Sequence, residues 1–351
     1  MILRTGRRGE GAKGLPPARA VVYDIPMRTG ALLISGWLLL GAAGCRDAPG
    51  VSGTPLTIEF TSKPWEGGSS PGRELVSTHY RIFTTSSSPE ILNHLPGFME
   101  AAHENYLAIT GLPARPQTKR MPIYMMASRQ EWAALTRSIV GPQWETYSSI
   151  QAGGYCYKGV CVFWDLGGVA ALSVASHEGL HQFLAHRLED RLPMWFEEGL
   201  ATLAEGYQVH SQAVRFTPER NSSRFSDLRK ALVNDWWIPL ADLLPMDGGD
   251  AVKLWPPGRT VGYYGQVWAL GHFLRSDPAY TQRQGRFLAD AEAGRLHRAL
   301  KLSREGLKRL QQRGRAHNRA IALPLFKYYV ARDLASFERR YRAHARKLAR
   351  L

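Results

Sequence analysis

An α+β fold is what this sequence predicts, and three observations carry the prediction. Short runs of alternating apolar residues, the pattern of half-buried strands, come in the first half of the chain, mixed with helices. Beyond Gly206 the chain is less regular, but the elements that can be read there are helices, so helices come last. Hydrophobic residues make up 44% of the 351 and charged residues 21%, enough for one good-sized core. That balance excludes wholesale disorder, and no stretch carries the signature of collagen, a long coiled coil or a polytopic membrane protein.

Residues 1–44 read as an address. The apolar run ALLISGWLLL over 31–40 falls short of the roughly 20 residues that span a bilayer. Arg28 precedes it, and Gly41-Ala42-Ala43-Gly44-Cys45 follows. A basic start, a short apolar stretch and small residues at its end make a secretory signal. The signal is complete from Met27, so the Arg-, Gly- and Pro-rich residues 1–26 read as an upstream extension. Residues 45–75 follow as a Gly/Ser/Pro-rich tether, 76–300 as the folded domain and 301–351 as a basic helical extension.

Within the domain, 79–84 (HYRIFT) is a strand. Residues 89–110 form a helix on Ile91, Leu95, Phe98, Met99, Ala102 and Tyr106, capped by Ser87 or Ser88. Residues 121–126 are a second strand and 129–138 a helix. In GGYCYKGVCVFWD (153–165) alternation around Lys158-Gly159 makes a β-hairpin. Cys156 and Cys161 face each other across it, a disulfide pair in an oxidising compartment. A helix runs over 169–188 after Gly167-Gly168, and another begins at Leu192-Pro193. Further helices are predicted near 227–234, 240–244, 263–275 and 283–293.

The formal charge of +15 divides unevenly. Residues 1–44 hold six Lys/Arg against two acids, and 301–351 hold fifteen against three. The body, 45–300, has 24 basic and 25 acidic residues, so it offers no basic stripe and nucleic acid is excluded as a partner. In the extension Phe326, Val330, Leu334, Phe337, Tyr341 and Leu348 form the apolar stripe of an amphipathic helix with an Arg-rich back. Docking on the domain is the first reading of that helix, and contact with anionic lipid or cell-wall polymer the second.

The chemistry sits in His177-Glu178-Gly179-Leu180-His181. Histidines at i and i+4 share one helical face, so both imidazoles reach a single Zn²⁺. Glu178 projects about 100° away, too far to ligate easily but near enough to take a proton from water beside the metal. A catalytic zinc has three protein ligands and one open position. On the next predicted helix Glu197 and Glu198 each offer a carboxylate, and geometry alone does not choose between them.

HEGLH followed by PMWFEEGLA resembles the gluzincin zinc metallopeptidases, specifically a short peptidase-MA-like bacterial group that includes a lipoprotein-associated domain of unassigned function. The likeness runs loosely from the strand at His79 to about Leu274, through PLADLL (239–244) and YGQVWALGHFL (264–274). It implies a zincin-like fold and metal ligands His177, His181 and Glu198, the last being the Glu directly before Gly-x-Ala. Glu178 is then the general base, Zn²⁺ the cofactor, and a peptide or protein the substrate. Tyr264, Trp268 and His272 form a stripe at four-residue spacing. The resemblance gives Tyr264 the role of donor to the developing oxyanion, and His272 reads as core. His186 lies off the metal face in the helix's last turn. Trp236-Trp237 reads as core, with a substrate groove as the alternative.

Small residues before a lone Cys resemble the bacterial lipobox, with Ala42 where Leu is commoner. That resemblance implies lipidation of Cys45 and a membrane-anchored protein of the bacterial cell envelope, at the outer membrane facing the periplasm. Two rival readings are an envelope-binding lipoprotein that keeps zinc for structure, and a zinc hydrolase acting on cell-wall amides.

Overall fold

The computed structural model describes residues 53–148, 150, 153–210, 212–252 and 259–351, with the backbone of Arg19–Ala20. The fold is α+β, 59% helical and about 14% strand. In chain order come β1 (Arg19–Ala20), β2 (Thr54–Pro55), β3 (Thr61–Trp65), β4 (Gly72–Val76), β5 (Tyr80–Thr84), α1 (Pro89–Thr110), β6 (Met121–Met126), α2 (Arg129–Val140) and α3 (Trp144–Ser148). The hairpin β7 (Gly154–Tyr157) and β8 (Val160–Trp164) leads into α4 (Gly168–Arg187) and α5 (Met194–Ala204). A small hairpin, β9 (Tyr207–His210) and β10 (Ala213–Phe216), precedes α6 (Ser222–Val233), α7 (Leu240–Leu243), α8 (Gly248–Val252) and α9 (Arg259–Ser276). The chain continues through α10 (Pro278–Glu292), α11 (Leu296–Ala299), α12 (Arg304–Gln311), α13 (Arg315–Tyr329) and α14 (Leu334–Leu348).

The larger sheet has the order β1-β7-β8-β6-β5-β4-β3, and the smaller β2-β10-β9. Strand β6 runs parallel to β5 and β8, while the other pairs are antiparallel. Both faces of the central strands are covered, which explains their near-continuous apolar sequence. One face carries α2 and α3 through Trp132, Tyr147, Tyr155 and Trp164. The other faces the main core, which extends from Leu56 to Ala349.

Local sequence sets the helix ends. Ser88 caps α1 by accepting from the Ile91 amide, with Pro89 at the first helical position. At the entry to α4, Asp165 accepts from the Gly167 amide at 2.9 Å and from Ser86 Oγ at 2.9 Å, tying β8 to the segment before α1. Helix α4 is packed between α1, α5 and the sheet, so it is buried nearly all round, polar residues included, and carries no clean amphipathic stripe. Two glycine positions make its surroundings possible. A Cβ on Gly179 would lie 2.4 Å from Tyr106 Oη, and one on Gly199 would lie 3.1 Å from the Val267 carbonyl.

Three expectations change. Residues 53–75, expected in the tether, carry β2, β3 and β4. Strand β3 ends the sheet and includes Pro64, which an edge tolerates because no neighbour needs its missing donor; Cys45 and the signal lie outside the described residues. The second half is not free of strands, since β9 and β10 pair there. Residues 301–351 form three helices, not one, and they dock on the domain as the first reading of the apolar stripe expects. The apolar stripe is shared by α13 and α14, which Asp333 separates by capping α14. Phe326, Phe337 and Tyr341 are buried in the main core, and Tyr341 Oη donates to the Gln266 carbonyl at 2.7 Å. No helix among the described residues is long and apolar enough to cross a membrane.

Candidate metal centre

Helix α4 turns His177 and His181 toward α5, whose Glu198 completes the group. One nitrogen from each imidazole and one Glu198 oxygen lie within 4.8 Å of one another. The two Nε2 atoms are 3.2 Å apart. Glu198 Oε2 stands 3.3 Å from His177 Nε2 and 3.8 Å from His181 Nε2. With zinc bonds of about 2.0–2.2 Å, tetrahedral donors stand roughly 3.3–3.6 Å apart. These three atoms therefore fit one face of a tetrahedron around a single small ion.

The opposite edges of both rings are fixed by carboxylates. His177 Nδ1 meets Glu205 Oε1 at 2.7 Å, and His181 Nδ1 meets Glu197 Oε1 at 2.9 Å. A carboxylate at Nδ1 holds the proton there and aims the Nε2 lone pair at the common point. Behind Glu205 stands a further layer from α6. Arg224 donates to both Glu205 oxygens at 2.7 and 2.8 Å and to Asp227 at 3.0 Å, and Asn221 Nδ2 donates to Glu205 at 3.1 Å. All of these side chains are buried.

Burial alone would discharge such groups, and their neighbours decide which stay charged. Burial acts to lower His177, but hydrogen bonds and charge from Glu198 and Glu205 win and hold it at about 10. Burial acts to raise Glu198, yet His177 and His181 keep it well below the carboxylate range. Glu205 is held at about 2 against burial by Arg224 and His177. Glu178 goes the other way. It is fully buried, no hydrogen-bond partner meets either of its oxygens among the described residues, and desolvation pushes its carboxyl well up.

Of the residues singled out from sequence, His177, His181 and Glu198 come together with Glu178 on the same helix. Tyr264 on α9 lies in the electrostatic field of Glu198 and Glu178, and burial keeps its phenol protonated as a donor. Its hydroxyl meets no hydrogen-bond partner among the described residues, and the same is true of Tyr263 beside it. Arg224 covers the Tyr264 ring at 5.1 Å, so one guanidinium touches both the His177 support and the candidate donor. The rest of the stripe is engaged elsewhere. Trp268 Nε1 donates to the Pro218 carbonyl, and His272 Nδ1 meets His344 Nε2 at 3.0 Å. Trp237 is held by α14 through Glu338 and Tyr341, which removes it from a groove. His186 bonds the Gly159 carbonyl at the hairpin turn.

Cys156 and Cys161 are Cα partners across the hairpin, as their spacing predicts, but the structure carries them as thiols. Cys161 Sγ donates to the Glu178 carbonyl at 3.1 Å. The sequence reading missed Glu197 as a support, together with Glu205, Arg224, Asn221 and Tyr263. A signal for Glu205 exists: it follows Glu198 by seven residues, two turns, and so falls on the same helical face.

No family model matches the chain, and comparisons with curated proteins and with solved structures give no match.

Proposed function

We propose that this protein is a zinc-dependent metallopeptidase, exported and anchored to the cell envelope through Cys45. The observation that carries the reading is the paired support of the histidines. Two Nε2 atoms 3.2 Å apart, each ring fixed at Nδ1 by a buried carboxylate, face one point together with Glu198, the supported donor set that a bound cation would use.

Zinc, when bound, supplies Lewis-acid chemistry, polarising a carbonyl and making a nearby water more acidic. His177, His181 and Glu198 would hold it. Glu178, one residue along the helix from His177 and free of hydrogen-bond partners among the described residues, takes the proton from the attacking water and returns it to the leaving amine. Burial raises its affinity for a proton. Tyr264, still protonated, donates to the oxygen on which charge builds.

One observation favours a second reading, in which the metal is structural. His177, Glu178 and His181 are 0% exposed and Glu198 1%, so a peptide reaches Glu178 only if covering chain moves aside. The deciding experiment is metal content and cleavage of a broad peptide library by the wild type, Glu198→Ala and Glu178→Gln. The peptidase reading expects about one zinc per chain, its loss in Glu198→Ala, and zinc without cleavage in Glu178→Gln. Zinc with no cleavage of peptides or cell-wall fragments by the wild type selects the structural reading, and failure to bind zinc removes both.

A further inference from the structure

Away from the metal centre, a cleft of about 380 Å³ opens between α10 and the link from α13 to α14. Its lining holds four cations, Arg283 and Arg286 from α10 with Lys327 and Arg332 from the other side, and no carboxylate. Like charges gathered in this way repel one another, and the crowding is relieved when an anion enters. Two of the cations are held in place. Arg283 donates to the Val330 carbonyl at 2.6 Å, which also neutralises one of the carbonyls at the end of α13. Arg286 lies over the Tyr328 ring at 5.8 Å and reaches its hydroxyl at 3.4 Å.

Two acids on the flanking elements are occupied. Asp290 is bound by Arg295 at 2.9 Å and by Tyr329 at 2.8 Å, and stands 4.0 Å from Arg286. Asp333 caps α14. The Tyr328 side chain, 52% exposed, offers a phenol at the cleft. Guanidinium forks with a lysine beside them suit the shape of a phosphate, and four cations suit its multiple charge.

We propose that this cleft is a binding site for a phosphate-bearing anion, either the headgroup of an anionic phospholipid or a soluble phosphate. The site is independent of zinc and of peptide cleavage. Its recognition is electrostatic, so it weakens as salt rises.

The test uses the full chain at low ionic strength with two probes, inorganic phosphate followed by calorimetry and vesicles of phosphatidylglycerol or phosphatidylcholine followed by co-sedimentation. The cleft variant is Arg286→Glu/Lys327→Glu. Both side chains are exposed, so the fold should survive, and unchanged circular dichroism checks it. A control, Arg304→Glu/Arg309→Glu on α12, makes the same charge change outside the cleft lining. The expected result is at least a fivefold loss in the cleft variant and less than twofold in the control. If the loss is in the preference for phosphatidylglycerol over phosphatidylcholine, the ligand is a lipid headgroup; if it is in phosphate affinity, a soluble phosphate. Equal losses in both variants, binding unchanged by the cleft substitutions, or no binding of either probe would overturn the site.

Discussion

His177 carries the most informative charge in the molecule. Glu198 and Glu205 raise its imidazole to about 10, so at the proposed zinc site the ion competes with a proton for Nε2 at neutral pH. Zinc uptake at pH 7 should therefore release about one proton, and affinity should fall as pH drops. Calorimetric titrations in buffers of different ionisation enthalpy measure that release directly, and equal apparent enthalpies in all of them would contradict it. Glu205 and Arg224 act on the same ring from behind. Glu205→Gln or Arg224→Met should weaken zinc binding by about 10–100-fold, read by competition with a chromophoric chelator, while Arg229→Met, on α6 but bonded to the Ala349 carbonyl, should leave it unchanged. At this scale much was legible: helical spacing put His177 and His181 on one face, and the Glu-Gly-x-Ala likeness chose Glu198. Their supports were not, because a buried carboxylate that serves an imidazole looks in sequence like any surface Glu.

Among elements, the crossings of α4 and α5 with their neighbours are set by glycine. Gly179→Ala would put a methyl 2.4 Å from Tyr106 Oη, which donates to the Ser176 carbonyl at 2.8 Å. The gain in helix propensity is about 1 kcal/mol, and overpacking costs about 1–3 kcal/mol. A lower thermal midpoint is expected, and an unchanged or higher one would mean that α1 yields easily. The β7–β8 hairpin offers a second check. Its two-residue turn has Lys158 and Gly159 at positive φ, which makes Cys156 and Cys161 the non-hydrogen-bonded pair next to it. Treatment with oxidised glutathione should remove two hydrogens from the intact mass and raise the thermal midpoint, since the bridge restricts the unfolded chain by about 2 kcal/mol. Cys156→Ser should abolish both effects. Helices α1, α2 and α4 were predicted to within two residues at each end, whereas α6 and α10 begin five residues earlier than expected, at the caps Asn221 and Asp277. Strands β2, β3, β4, β9 and β10 were not predicted, because they are short and largely polar; β3 with β4 and β9 with β10 are local hairpins, and only β2 pairs with a strand far away in sequence.

For the whole molecule, acid is the expected weakness. Burial, reinforced by the neighbouring His79, holds His103 down at about 4. Burial and the charge of His272 do the same to His344, and His272 itself is lowered by burial. In the unfolded chain these groups titrate near 6.5. As pH falls below that value the unfolded state takes up protons that the native state refuses, so stability is lost between about pH 6.5 and 4. Each fully engaged histidine removes up to about 1.4 kcal/mol per pH unit. Urea titrations at pH 7 and pH 5 should show that loss, and His103→Gln should flatten the pH dependence. The class of fold was readable from the order of its elements, and the apolar stripe of the basic C-terminal segment foretold its docking on the domain, though not its division into three helices. That placement governs how the protein is made. Helix α14 packs on α6, α7 and α9, and Trp237 and Gln266 find their partners in Glu338 and Tyr341. The ribosome must therefore pass Tyr341 before this part of the core can seal. Until then the growing polypeptide exposes aromatic surface, and chains broken off before Leu334 should be substrates for chaperones and housekeeping proteases.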